Sequence, residues 1–122
     1  MQGKTILVVD DEKDVQFMLE KRLTADGYSV IIANNGTDAL MLAKSKHPDL
    51  IILDLVMPGI EGGEVAARLK AALETRDIPI IFLTVLLSKT EEEKYGPLIG
   101  GNITLAKPFN PEELLAQIKK LL

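Results

Sequence analysis

Five short apolar runs recur along the chain: Thr5–Val9, Ser29–Ala33, Leu50–Leu53, Ile80–Leu83 and Asn102–Leu105. Valine, isoleucine and leucine dominate them, and polar residues, glycine or proline bound them, which predicts five strands. The first and third are apolar at almost every position, the pattern of strands covered on both faces. Between the runs, apolar residues follow helical spacing instead. Val15, Met18, Leu19 and Leu23 form one set, Ala39, Leu40 and Ala43 a second, and Val65, Ala66, Leu69, Ala72 and Leu73 a third. The final set is Leu114, Leu115, Ile118 and Leu122, opened by Asn110 as N-cap and Pro111 at the first helical position. A further, shorter helix is expected after Ser88 or Thr90, where Glu91–Glu93 suit a helix N-terminus and Gly96-Pro97 ends or kinks it.

Strands alternating with helices imply parallel pairing and right-handed crossovers. Five such units make an α/β fold, a doubly wound sheet with helices on both faces. Ligands of such sheets sit beyond the carboxyl ends of the strands, so the residues there are the ones to question.

The first strand runs directly into Asp10, Asp11 and Glu12. Three adjacent carboxylates at the mouth of a core repel one another and cost desolvation. The third strand ends in Asp54, the fourth in Thr84, and the fifth is followed by Lys107 and Pro108. Carboxylates, a hydroxyl and an ammonium therefore converge at one end of the sheet. Oxygen ligands of this kind suit Mg²⁺, which needs one or two carboxylates and keeps several waters. A cation there relieves the repulsion and lets a carboxylate attack a phosphoryl group. Lys107 would neutralise the equatorial oxygens, and Thr84 would donate a hydrogen bond to them. Taken singly, each residue has a bland explanation: acids at strand ends are mostly solvated loops or helix caps. The conjunction at successive strand ends favours a site. His47, the sole histidine, precedes Pro48 in a loop and is expected at the surface without a metal or catalytic role.

Bulk properties exclude several classes. The 122 residues suit one domain, 1–122, and 47% hydrophobic content is enough for a core without disulfides. With no cysteine there is no thiol nucleophile, thiolate metal site or redox motif, which fits a reducing compartment. A net charge of −4 and 4% aromatic residues argue against nucleic-acid binding by electrostatics or base stacking. The start, MQGKT, lacks the charged and apolar regions of a signal peptide, and no apolar run approaches a membrane span. A cytoplasmic location is expected.

ILVVDDE, DLIILDLVMPGIEGGE, PIIFLT and LAKPF together resemble the receiver domains of two-component response regulators over nearly the whole chain. The resemblance implies a flavodoxin-like (βα)5 fold with strand order 2-1-3-4-5. It implies a signalling switch in which Asp54 accepts a phosphoryl group from a histidine kinase or a histidine phosphotransfer protein. Such a domain is no enzyme in the ordinary sense, although it assists its own phosphorylation and dephosphorylation. Asp11 resembles the direct Mg²⁺ ligand, Asp10 its helper, and the backbone carbonyl of Val56 the third protein ligand alongside Asp54. Thr84 and Lys107 resemble the pair that contacts the phosphoryl group. The signal then passes to a downstream output protein or domain, with no effector domain expected within 1–122 and no direct contact to nucleic acid or membrane.

The chain departs from the family's usual pattern in places. Val85 stands where a small residue is usual, and Thr104 stands where many members carry an aromatic ring that moves with the threonine. GGNIT replaces the acidic pattern of regulators with winged-helix output, and Val56 and Leu86 occupy positions that are polar in fast-cycling members. A receiver-like interaction module that is no longer phosphorylated is the alternative. An aspartate-based phosphatase is remote, because it needs a second Asp where Val56 stands. A flavodoxin-like flavin binder would find its phosphate repelled by Asp10, Asp11 and Glu12.

Hydrolysis of an aspartyl phosphate needs an in-line water, and Val56 and Leu86 offer that water no hydrogen bond. The phosphorylated form is expected to be long-lived. At least one of Val56→Asn and Leu86→Glu should accelerate its decay, by roughly ten- to a hundredfold, about 1.4–3 kcal/mol of barrier. Decay of the phosphoprotein after donor removal measures this, and rates no faster than wild type for both variants refute it.

Overall fold

The computed structural model describes residues 3–54, 62–84, 98–99, 102–106 and 110–122. The strands are β1 (Thr5–Val9), β2 (Ser29–Ala33), β3 (Leu50–Asp54), β4 (Ile80–Thr84), β5 (Leu98–Ile99) and β6 (Asn102–Ala106). The helices are α1 (Lys13–Ala25), α2 (Gly36–Lys46), α3 (Gly62–Ala71) and α4 (Pro111–Leu121). The sheet order is β2-β1-β3-β4-β6-β5. The five long strands pair in parallel in the expected order, 2-1-3-4-5 when counted among themselves.

One strand was not expected. The two-residue β5 runs antiparallel to β6, with Ile99 opposite Asn102. Gly100 and Gly101 stand between them in sequence. Two residues are too few to show periodicity, which is why the apolar pair Leu98-Ile99 carried no strand signal. The short helix expected after Ser88 or Thr90 lies outside the described residues.

Alternation along the strands divides the core into two layers. Leu7, Val9, Ile51, Leu53, Ile80 and Phe82 face α2 and α3, where Ala39, Ala43, Val65 and Leu69 meet them. Ile6, Val8, Leu50, Ile52, Ile81 and Leu83 face α1 and α4, where Leu19, Leu23, Leu114, Leu115 and Ile118 meet them. Both layers are buried, so the sheet is covered on both faces as its apolar runs predict. Asn110 caps α4 by accepting from the Glu112 N–H at 2.8 Å, with Pro111 in its first turn. The Asn35 side chain caps α2 through the Asp38 N–H at 2.8 Å. The exposed His47 ends α2 in the left-handed region at φ 49°.

Three apolar residues are not where their spacing suggested. The buried stripe of α1 is Gln16, Leu19 and Leu23, while Met18 turns outward beside Phe17. α3 ends at Ala71, so Leu73 lies beyond it, 75% exposed. The turn that follows is tied down by Thr75, whose buried Oγ1 donates to the Leu69 carbonyl at 2.6 Å and draws the chain off the helical path. Leu122 follows the last turn of α4 and is exposed.

These burials separate two substitutions that look alike in sequence. Ile52→Ala opens a cavity between β3 and the α1–α4 layer and is expected to cost about 2–5 kcal/mol. Leu73→Ser is expected to stay within about 0.5 kcal/mol of wild type. Denaturant unfolding checks both, and a loss of several kcal/mol from Leu73→Ser contradicts its placement.

Candidate functional site

The parallel register builds the site. Val9 pairs with Leu53, so the next residues of the two chains are Asp10 and Asp54. Asp54 is itself the last residue of β3 and pairs with Leu83; Thr84 then pairs with Ala106. Four strand ends thus align at the carboxyl edge of the sheet, where a doubly wound fold places its ligands.

Asp10 and Asp54 are 1% and 4% exposed, unusual values for carboxylates. Asp10 is held from several sides. Its N–H donates to the Ala33 carbonyl at 3.2 Å, and its Oδ1 accepts from the Glu12 N–H at 2.8 Å. Glu12 is the N-cap residue of α1, yet its side chain makes no capping bond. Its carboxylate lies instead with those of Asp10 and Asp54, the three offering oxygens within 4.8 Å of one another. The α1 N-terminus brings its partial positive charge to the same turn.

The sequence-predicted residues are therefore distributed unevenly. Asp10 and Asp54 are brought together. Asp11, on the same turn, is exposed and outside that set of three. The backbone of Thr84 is at the edge of the site, while Val56 and Lys107 lie outside the described residues. Glu12 entered the sequence reading only as part of the acidic run; its nearness to Asp54 depends on the turn into α1.

Gln16 was missed altogether. It is 7% exposed on the inner face of α1, and its Nε2 donates to the Asp10 carbonyl at 2.5 Å and to Asn34 Oδ1 at 2.7 Å. Lys13 Nζ also donates to Asn34 Oδ1, at 2.9 Å. A polar residue four positions after the acidic run, inside an apolar helical stripe, was the available signal.

A set of three carboxylate oxygens is a donor set for a hard divalent cation. The residues 6–119 match the model of the response regulator receiver domain. The chain belongs to the response regulator receiver domain family. Receiver domains are phosphoacceptor signalling modules that work with histidine kinases and output domains. Among named relatives, this receiver domain is 43% identical over 124 residues to the phosphate regulon transcriptional regulatory protein PhoB of Pseudomonas aeruginosa, covering 100% of this chain and 53% of PhoB. It is 42% identical over 122 residues to the probable transcriptional regulator ycf27 of Porphyridium aerugineum, covering 100% of this chain and 49% of that protein. The chain spans about half the length of these relatives.

Solved structures agree. The chemotaxis response regulator CheY4 of Vibrio cholerae superposes with a TM-score of 0.85 at 32% identity over 98% of both chains. The receiver domain of the sensor histidine kinase PA1611 of Pseudomonas aeruginosa superposes with a TM-score of 0.86 at 29% identity, covering 98% of this chain and 97% of that one. That structure holds a magnesium ion coordinated in its active-site cleft. Among the described residues, no helix is long and apolar enough to cross a membrane.

The acid group gives a direct expectation for cation binding. A cation at about ten times its Kd stabilises the folded state by roughly 1.4 kcal/mol, a few degrees in Tm. Mg²⁺ should raise the Tm and Asp54→Asn should remove most of that rise, while Glu12→Gln and Asp11→Ala compare the acid inside the set of three with the one outside it. Thermal melts with and without Mg²⁺ test the ranking; an unchanged response in Asp11→Ala excludes Asp11 as a principal ligand.

Proposed function

We propose that this receiver domain accepts a phosphoryl group on Asp54, with Mg²⁺ as cofactor, from a histidine kinase or histidine phosphotransfer protein. The observation that carries the reading is the pairing of two nearly buried carboxylates, Asp10 and Asp54, with Glu12 beside them at the sheet edge. Asp10, Asp11, Asp54 and the Val56 carbonyl would hold the cation. Its chemistry is charge neutralisation, which lets an anionic carboxylate meet an anionic phosphoryl group.

The chain's own groups do the rest. Asp54 is fixed at the last ladder position of β3, so its carboxylate reaches the mouth without the freedom of a loop. Thr84, at the matching end of β4, would donate its hydroxyl to a phosphoryl oxygen, and Lys107 would pair with another. The balance of the step is simple: one Asp54 oxygen forms a bond to phosphorus as the donor's bond to phosphorus breaks. Residues 1–122 act as a single receiver domain, cytoplasmic, passing the signal to an output protein or domain through protein contacts.

Incubation with acetyl phosphate and Mg²⁺ should add one phosphoryl mass, mapped to Asp54. Asp54→Asn should abolish the adduct, and chelation should reduce it at least tenfold. An adduct that persists in Asp54→Asn, measured by intact mass, overturns the assignment.

A further inference from the structure

We infer that Gln16 is a positioning residue for cation binding, a strut that holds the acidic turn in its ligand geometry. The inference rests on the Mg²⁺ reading above and deepens it. α1 is otherwise apolar on its inner face, with Leu19 and Leu23 continuing the stripe that Gln16 begins. A buried amide there must find partners. Gln16 finds them away from its own helix: the Asp10 carbonyl at 2.5 Å and Asn34 Oδ1 at 2.7 Å.

The consequence is mechanical. Two bonds to the Asp10 backbone help anchor the turn carrying Asp10, Asp11 and Glu12 to the rest of the domain. One is the Asp10 N–H bond to Ala33 at the end of β2. The other is Gln16, which grips the same residue's carbonyl from the helix side. Asn34 joins the two, since it follows Ala33 directly and its Oδ1 accepts from Gln16 and Lys13. The peptide groups on both sides of the Asp10 side chain are thus fixed, and the side chain projects toward Asp54 from a held backbone. Partners of this kind that orient metal-binding carboxylates commonly change affinity by about 10–100-fold when lost.

The test is Mg²⁺ affinity, measured by titration calorimetry on the 122-residue chain. Gln16→Met keeps the volume and removes both donors; its Kd should rise about tenfold. Asn34→Ala, at the exposed end of the network, should raise the Kd by a smaller factor of about three and serves if Gln16→Met does not fold. Thr75→Val loses a comparably buried hydrogen bond remote from the acids; it should lower the Tm and leave the Kd unchanged. A Kd within twofold of wild type in folded Gln16→Met, or in Asn34→Ala where that variant alone folds, overturns the inference. So does an equal weakening in Thr75→Val, which would mark a general loss of stability. If wild type takes up no Mg²⁺, both the inference and the cation reading fall; if wild type binds and Gln16→Met binds equally, only the inference does.

Discussion

Strand register is the constraint on which the rest depends. Val9 sits opposite Leu53 and Ile6 opposite Leu50, so β1 and β3 end at the same level. In a parallel pair, side chains that leave two aligned strands leave side by side. Asp10 and Asp54 are neighbours for that reason alone. A slip of one residue would exchange the faces of every side chain in β1. Leu7 and Val9 would then be driven into the layer filled by Leu19, Leu23 and Ile118. The two-sided core thereby fixes the position of a charged site that it does not itself contain.

That division of labour is visible in the chain's composition from strand to loop. After Thr5, β1 is apolar to its carboxyl end, as β3 is up to Asp54, and both become acidic without a transition. Carboxylates placed there are nearly out of solvent, so their orientation must come from hydrogen bonds. At Asp10 the Glu12 N–H donates to the carboxylate, while the Ala33 carbonyl of β2 and Gln16 of α1 hold the backbone on either side of it. α1 serves both the site and the core. Its first turn borders the acids, and its later turns pack Leu19 and Leu23 against the layer shared with α4. Arg22 also pairs with Glu112 across those two helices, although both are exposed and the pair adds little stability.

Much of this was legible because it is periodic. Strand runs, the Asn110-Pro111 start of α4 and the acids at strand ends all follow from spacing and residue type. The family resemblance added strand order and roles. What was not legible depends on how turns are made. Glu12 reads only as the last member of an acidic run, and the turn geometry is what shows its carboxylate beside Asp54. Gln16 reads as a lapse in an apolar stripe, because its partners are a backbone carbonyl and a residue 18 positions away. Met18 and Leu73 satisfy a helical period but lie, respectively, beside the buried stripe and past the helix end. Periodicity identifies a face; it does not say where the helix stops or which edge of the face is covered.

Energetic magnitudes explain how such a site coexists with a stable fold. Two unit charges 4.8 Å apart repel by roughly 3.5 kcal/mol at an effective dielectric of about 20, before any partner is counted. Fully burying one leucine or isoleucine side chain contributes about 1.5–3 kcal/mol. The repulsion of one carboxylate pair is therefore of the size offset by two core residues such as Ile52 and Leu53, which adjoin it in β3. The three carboxylates make three such pairs, roughly 10 kcal/mol, the size offset by about four to seven core residues, so a cation that relieves the repulsion has much to stabilise. A divalent ion then meets a turn already held by Asp10's backbone bonds, and little of its binding energy is diverted to ordering the chain. That energy remains to favour the ion-bound form over the free one, which is the differential binding that any ligand-controlled switch requires.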